Sequence, residues 1–432
     1  MSWTEAQAER QLRSLELFGM RFGLDRMRRM MTVLGSPERR FDSIHVLGTN
    51  GKSSTTRMTA AILARHGLRT AAYLSPHLVS YRERVQIGER ALDADAFAAA
   101  IARASLAAQR VNRTLAEDDH VTQFELLTAA ALWEMAEQEV QVAVVEAGLG
   151  GRYDATSVID SPITVLTNIG LEHTRWLGPT LKDIAEEKLA VVRPGGTLVL
   201  APELAAPALA VAERVAGERE AQIVRPRREL AHAPTPVRGA FQRRNFALAR
   251  AAAEAYLRQA GIAVREQAVA AAAAAAAVPG RLQLLGDDPP TVLDGAHNPH
   301  AVAALIESLP EVLPAGPLAL VLGVLEDKDA AGMLAALLPL CERAWFTAPP
   351  SGRALPPAAL QSLARQLGFE ASSCEPQPAR ALAAARGWAQ ERGGAVLVTG
   401  SVYLLGDLLG GLERSDNVRQ PWARSRSSTS TR

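Results

Sequence analysis

The run Val46-Leu47-Gly48-Thr49-Asn50-Gly51-Lys52-Ser53-Ser54 constrains this chain more than any other stretch. An apolar segment, Ile44 to Leu47, leads into Gly-x-x-Gly-Lys-Ser and then into a helix-like stretch, Thr55 to His66. Strand, glycine turn, lysine and helix N-terminus together make a phosphate cradle. Backbone N–H groups and the helix dipole point at the anion, and the lysine adds a charge. The spacing differs from the usual Gly-x4-Gly-Lys-Ser/Thr because the first glycine sits two residues closer to the lysine. That departure favours a particular ATPase subgroup over a generic nucleotide loop.

Lysine usage sharpens the reading. The 432 residues hold 47 lysines and arginines, yet only Lys52, Lys182, Lys188 and Lys328 are lysines. In such an arginine-biased chain, a lysine that persists marks a place where a compact, titratable amine is needed. Lys52 qualifies, and Lys188, in Asp183-Ile184-Ala185-Glu186-Glu187-Lys188, is a candidate.

Apolar β-type runs alternate with Ala/Leu-rich helical stretches, which reads as α/β with a largely parallel sheet. Strands are predicted at 43–47, 70–74, 140–145, 163–168, 197–200, 291–293, 319–323, 343–347 and 395–399. Helices are predicted at 55–66, 94–108, 122–138, 181–192, 242–260 and 299–309, and the alanine run 268–277 reads as helix on propensity. The boundary is placed at Leu285–Pro290, where Gly-Asp-Asp-Pro-Pro separates two α/β patterns. This gives an N-terminal P-loop ATPase-type domain, 1–286, with a mostly parallel sheet. A smaller Rossmann-like α/β domain, 291–412, follows, and the Ser/Arg/Thr-rich segment Glu413 to Arg432 reads as a disordered tail. The net charge of +1 gives no reason to expect a nucleic-acid or membrane partner. Two cysteines, Cys341 and Cys374, fit a reducing cytoplasmic setting, the N-terminus is not a signal peptide, and no apolar run is long enough to span a bilayer. A monomer is expected.

Further chemistry-bearing residues sit just past predicted strands. Glu146 ends Val142-Ala143-Val144-Val145 and precedes Gly148-Leu149-Gly150-Gly151, a place suited to a magnesium ligand. His173 follows the strand that ends near Leu166 and points to metal or phosphate contact. Ser75, in Ser75-Pro76-His77-Leu78, offers a hydroxyl to a metal. Arg281, in Pro279-Gly280-Arg281, can bind phosphate bidentately. Asp294 and His297, in Asp294-Gly295-Ala296-His297-Asn298-Pro299, open the second unit and can contact nucleotide or substrate.

Taken in order, these segments resemble the folylpolyglutamate synthase/dihydrofolate synthase family of the Mur ligase superfamily. Tyr81-Arg82-Glu83-Arg84, Thr122-Gln123-Phe124-Glu125 and Gly148-Leu149-Gly150-Gly151-Arg152-Tyr153-Asp154-Ala155-Thr156 also carry the resemblance, which spans about Arg10 to Leu409. It implies that Gly48, Thr49, Asn50, Gly51, Lys52, Ser53 and Ser54 hold the ATP phosphates, and that Asn245, Arg281 and Asp294 contact ATP. It implies Ser75, Glu146 and His173 as magnesium ligands, with two ions. It implies that carbon dioxide carbamylates Lys188, which then also binds metal. Arg82, Thr122, Gln123, Phe124, Glu125, Tyr153, Asp154 and Ala155 would line the dihydropteroate site, and His297 would lie near the phosphates. Two positions depart from the family pattern: Ser53 stands for its usual glycine and Ser157 for its usual asparagine.

The resemblance implies an ATP-dependent ligase that joins L-glutamate to 7,8-dihydropteroate and extends tetrahydrofolate with further glutamates through an acyl phosphate. Lys52, Lys188, His173 and His297 would be the catalytic residues, with the second domain closing over the first. Three other readings remain: a ligase that only extends folates, a cell-wall amino-acid ligase, and a nucleotide-dependent switch. The short stretch before Ser43 leaves the cell-wall ligase little room for a UDP-sugar domain.

Overall fold

A computed structural model describes residues 3–15, 23–227 and 236–414, with the side chains of 413 and 414 left aside. The chain divides into two compact units, Met1–Val278 and Pro279–Arg432. The first is built on eight strands: β1 (Asp42–Leu47), β2 (Thr70–Tyr73), β3 (Val85–Ile87), β4 (Arg90–Ala91), β5 (Val142–Glu146), β6 (Ile163–Leu166), β7 (Thr197–Leu200) and β8 (Gln222–Val224). Their order is β4-β3-β2-β5-β1-β6-β7-β8, and all neighbours are parallel except the β2–β3 and β3–β4 pairs.

The buried strands alternate between two cores, as a two-residue period requires. Ala71, Tyr73, Ala143 and Val145 pack on one face against the helices Glu5–Ser14, Asp25–Leu34, Ala94–Asn112 and Gln123–Glu137. Ile44, Val46, Ala72, Val142 and Val144 pack on the other against Lys52–Arg65, Ala240–Gln259 and Glu266–Ala274. Because the central strands are parallel, the loops after β1, β2, β5 and β6 all leave from one edge, where open α/β sheets bind ligands.

The second unit has β9 (Gln283–Asp287), β10 (Pro290–Leu293), β11 (Leu318–Leu322), β12 (Arg343–Phe346), β13 (Ser372–Cys374) and β14 (Ala395–Thr399), in the order β13-β12-β11-β14-β10-β9. Only the β9–β10 pair is antiparallel. This corrects the expected boundary at Leu285–Pro290. The Gly-Asp-Asp-Pro-Pro stretch is the turn of a hairpin inside the second sheet, and the division falls between Val278 and Pro279. Turn residues punctuate a hairpin and a linker alike, so composition did not separate them.

All nine predicted strands are present. The five missed ones are β3, β4, β8, β9 and β13, and all but β3 lie at the edges of their sheets. The helix predicted from Thr55 begins at Lys52, because Gly51 caps it with a φ of 82°. The alanine-rich helix ends at Ala274, short of 277. The last helix, Val402–Arg414, runs two residues into the expected tail, whose remainder lies outside the described residues. Among the described residues no helix is long and apolar enough to cross a membrane.

Candidate active site

The phosphate loop forms because two of its positions accept only glycine. At Gly48 (φ 144°) a side chain would run into the Thr167 hydroxyl, and at Gly51 it would come within 2.6 Å of Asn245 Oδ1. The segment after β6 braces the loop. Thr167 Oγ1 donates to Asn50 O at 2.6 Å, the Asn50 N–H to Asn168 Oδ1 at 2.8 Å, and the Gly170 N–H to Thr49 Oγ1 at 3.0 Å. Lys52 folds back to donate to the carbonyls of Gly48 (3.1 Å) and Thr49 (3.0 Å). The first turn of the helix Lys52–Arg65 begins at Gly51, so its leading N–H groups open toward the same space.

Glu146 stands beside this loop, because β5 pairs with β1 and places Val46 opposite Glu146. The residue is 1% exposed. One oxygen accepts the Ser53 hydroxyl at 2.9 Å and the other the Ser75 N–H at 3.0 Å. Arg57, one turn along the helix from Ser53, adds positive charge toward Glu146 and Glu83. Glu83 itself accepts the N–H groups of Leu78, Val79 and Ser80, which fixes the segment after Ser75.

Lys188 lies near the C-terminal end of the helix Leu181–Leu189, which a Thr180/Asp183 capping box starts. It is 4% exposed. Burial, reinforced by the positive charge of Lys52, lowers its pKa to about 7, against the opposing pull of Glu172, Asp154 and Glu187. The Gly148–Gly151 loop packs on this helix so closely that a side chain at Gly151 would strike the backbone of Lys188. His173 adopts a left-handed φ of 52° at the start of the short helix Thr174–Leu177, with Nε2 3.8 Å from Glu172 Oε1.

The segment Thr122–Glu125 starts the helix Gln123–Glu137 with a capping box between Thr122 and Glu125. Both Glu125 oxygens also accept from Arg26 Nε at 3.0 Å, and Arg26 Nη1 reaches Asp119 at 2.9 Å. Phe124 packs against Gly148, where any side chain would collide with its ring. Asp154 accepts the N–H groups of Leu149 (2.6 Å) and Thr156 (3.0 Å) and the Thr156 hydroxyl, which in turn meets buried His45 Nε2 at 2.9 Å. Burial lowers the His45 pKa to about 4. Tyr153 is half exposed and Ala155 is buried. Arg82 is tied to Glu5 at 2.7 Å.

The Mur ligase middle domain pattern matches residues 46–201, and that of the Mur ligase, glutamate ligase domain, matches residues 280–402. The dihydrofolate synthase/folylpolyglutamate synthase of Bacillus subtilis is 30% identical over 428 residues, covering 90% of this chain and 95% of that protein. The chain belongs to the dihydrofolate synthase/folylpolyglutamate synthase family of Mur ligases. The solved Mycobacterium tuberculosis folylpolyglutamate synthase complexed with ADP superposes with a TM-score of 0.87 at 30% identity, covering 96% of this chain and 99% of that one. The bifunctional folylpolyglutamate synthase/dihydrofolate synthase of Yersinia pestis, complexed with AMPPNP and Mn ion, gives 0.81 at 29% identity, covering 95% and 98%.

For a member of this ligase family, the donor set beside the loop suits a hard divalent cation. It is a buried carboxylate that accepts the Ser53 hydroxyl on one oxygen and the Ser75 N–H on the other. Among the described residues no group of three or more His, Cys, Asp or Glu side chains can hold a metal alone.

The structure brings Lys52, Ser53, Ser75, Glu146 and Asn245 to the phosphate loop, with Lys188 within electrostatic reach of Lys52. Within the second unit, buried Asp294 accepts the N–H groups of Leu282 and Ala296, both at 2.9 Å, and burial raises its pKa against the pull of Arg281. The Arg281 guanidinium fills the space where a side chain on Gly295 would be, and His297 Nδ1 meets Gly295 O at 2.8 Å. The departures from the family pattern are both accommodated: the Ser53 hydroxyl bonds Glu146, and the Ser157 hydroxyl donates to Gly151 O. Sequence reasoning gave no role to Glu172, Arg57 or His45. The first two are ordinary charges in helical or loop sequence, and only the fold puts them beside Lys188 and Glu146.

Proposed function

We propose that this ligase condenses L-glutamate with 7,8-dihydropteroate, giving dihydrofolate, and adds further glutamates to tetrahydrofolate. The observation that carries the reading is the convergence at one sheet edge of a phosphate loop, a buried carboxylate and a buried lysine whose pKa is about 7. A carboxylate is a poor electrophile, so ATP first phosphorylates it to an acyl phosphate. The glutamate amine then attacks the carbonyl carbon, and inorganic phosphate leaves with the bonding pair.

The N–H groups from Gly51 to Ser54 hold the phosphates. Lys52 exchanges its two carbonyl partners for phosphate oxygens and steadies the charge that builds up during transfer. Ser75, Glu146, His173 and Lys188 would hold the divalent cation, which neutralises charge on the transferring group. At pH 7 roughly half of the Lys188 amines are neutral, given a pKa of about 7. The neutral amine attacks carbon dioxide and releases a proton, leaving a carbamate. The charge at this position then changes from positive to negative, so repulsion from Lys52 becomes attraction. Thr122, Gln123, Phe124, Tyr153 and Ala155 receive the pterin, on segments that Glu125, Asp154 and Arg82 hold through the bonds described above. Asn245 contacts ATP beside the phosphate loop, and Arg281 and Asp294 are the second unit's candidates for nucleotide contact.

The test is to incubate purified protein with MgATP, L-glutamate and either 7,8-dihydropteroate or tetrahydrofolate, and to measure ADP release and product mass. Turnover of both is expected. Turnover of tetrahydrofolate alone would remove the dihydrofolate synthase activity, and turnover of neither would overturn the substrate assignment.

A further inference from the structure

We infer that Ser53 is a positioning residue for the cation site, holding the Glu146 carboxylate in its ligating orientation through the Ser53 Oγ–Glu146 Oε1 hydrogen bond. The inference rests on the reading of Glu146 as a cation ligand. Ser53 is the second residue of the helix that starts at Lys52, so its side chain leaves the phosphate loop on the side of β5. Its hydroxyl lies 2.9 Å from Glu146 Oε1, while the Ser75 N–H lies 3.0 Å from Oε2. The two oxygens are thus gripped from opposite sides, one by the first turn of the helix after β1 and one by the loop after β2. Arg57, one turn further along, supplies compensating charge, and the hydroxyl supplies direction.

A carboxylate at a strand tip has rotamers to choose from, and a fixed donor removes that choice before any cation arrives. Partners that orient a ligating carboxylate in this way are typically worth about 10- to 100-fold in metal affinity. The glycine usual at this position in the family has no side chain and cannot make the bond. Position 53 therefore sets how strongly this chain holds its cation, separately from how it holds the nucleotide.

The experiment compares Mn2+ affinity of the ADP-bound protein, read by electron paramagnetic resonance, with ADP affinity in EDTA, read by calorimetry. Wild type, Ser53→Ala, Ser53→Gly and Ser53→Thr are measured. Ser53→Ala and Ser53→Gly are expected to weaken Mn2+ binding about 10-fold, with ADP affinity in EDTA changed by less than about twofold. Ser53→Thr keeps the hydroxyl and is expected to stay near wild type. Unchanged or tighter Mn2+ binding in Ser53→Ala would overturn the inference, as would an equal loss of ADP affinity in EDTA. Absence of Mn2+ binding by ADP-bound wild type would instead overturn the reading of Glu146.

Discussion

The charges around Lys52 and Lys188 differ from those around Glu125 and Asp154 in what they touch. In the first group the ammonium of Lys52 bonds, among the described residues, only to loop carbonyls. Lys188 is buried with a depressed pKa and has no hydrogen bond or ion pair among the described residues. In the second group the acceptors are used internally: Glu125 by Arg26 and its own cap, and Asp154 by Leu149, Thr156 and, through Thr156, His45. Both groups contain buried polar residues in motifs that carry the family resemblance. Burial with internal hydrogen-bond partners marks a scaffold, whereas an amine buried far enough to lose its charge near neutral pH costs stability and points to chemistry.

The largest expected effect tests the first group. Lys52→Ala should lower the rate of ADP release on the order of 10^3-fold. Its melting temperature should stay near wild type, because only two carbonyl bonds are lost. Near-normal turnover would break the contrast outright.

Lys188→Arg comes next. Arginine keeps the charge but cannot be carbamylated, and a loss on the order of 10^2-fold in kcat is expected. The wild-type lysine adds a pH test. Burial lowers its pKa to about 7, so the reactive neutral amine is scarce at pH 6 and dominant at pH 8. Reactivation of carbon-dioxide-depleted enzyme by a fixed concentration of dissolved carbon dioxide should therefore be roughly tenfold faster at pH 8 than at pH 6. A flat profile would mean that the amine does not react.

Glu125→Gln probes the second group. It takes the negative charge of Glu125 away from buried Arg26, and breaking a buried pair costs about 3 kcal/mol. Chemical denaturation should show that loss, and KM for the pterin substrate should follow stability rather than change alone. A KM effect at full stability would move Glu125 into the substrate contacts. Arg82→Ala should have the smallest effect, since its pair with Glu5 is partly exposed. A cost under about 1 kcal/mol is expected, with KM for dihydropteroate within about twofold of wild type.

Much of the site was legible in the sequence because strand–loop–helix junctions are local. Gly48 to Ser54 carries its own glycines, lysine and helix start, and Glu146 ends an unbroken apolar run. The fold class followed from alternation of apolar runs with helical stretches. The hairpin at 283–293 was misread as a linker, since its Gly, Asp and Pro residues say only that the chain turns.

The sequence by itself determined the phosphate cradle and the parallel α/β plan, because both rest on patterns among neighbouring residues, and the composition of the whole chain singled out Lys188. Only the tertiary structure decided which charges face one another. Lys52 lies more than a hundred residues before Lys188, and Arg26 lies 99 residues before Glu125. A depressed lysine pKa, the Ser53 grip on Glu146 and a carboxylate spent on its own scaffold all arise from burial and distance. Those exist only once the sheet has set strands that are distant in sequence side by side.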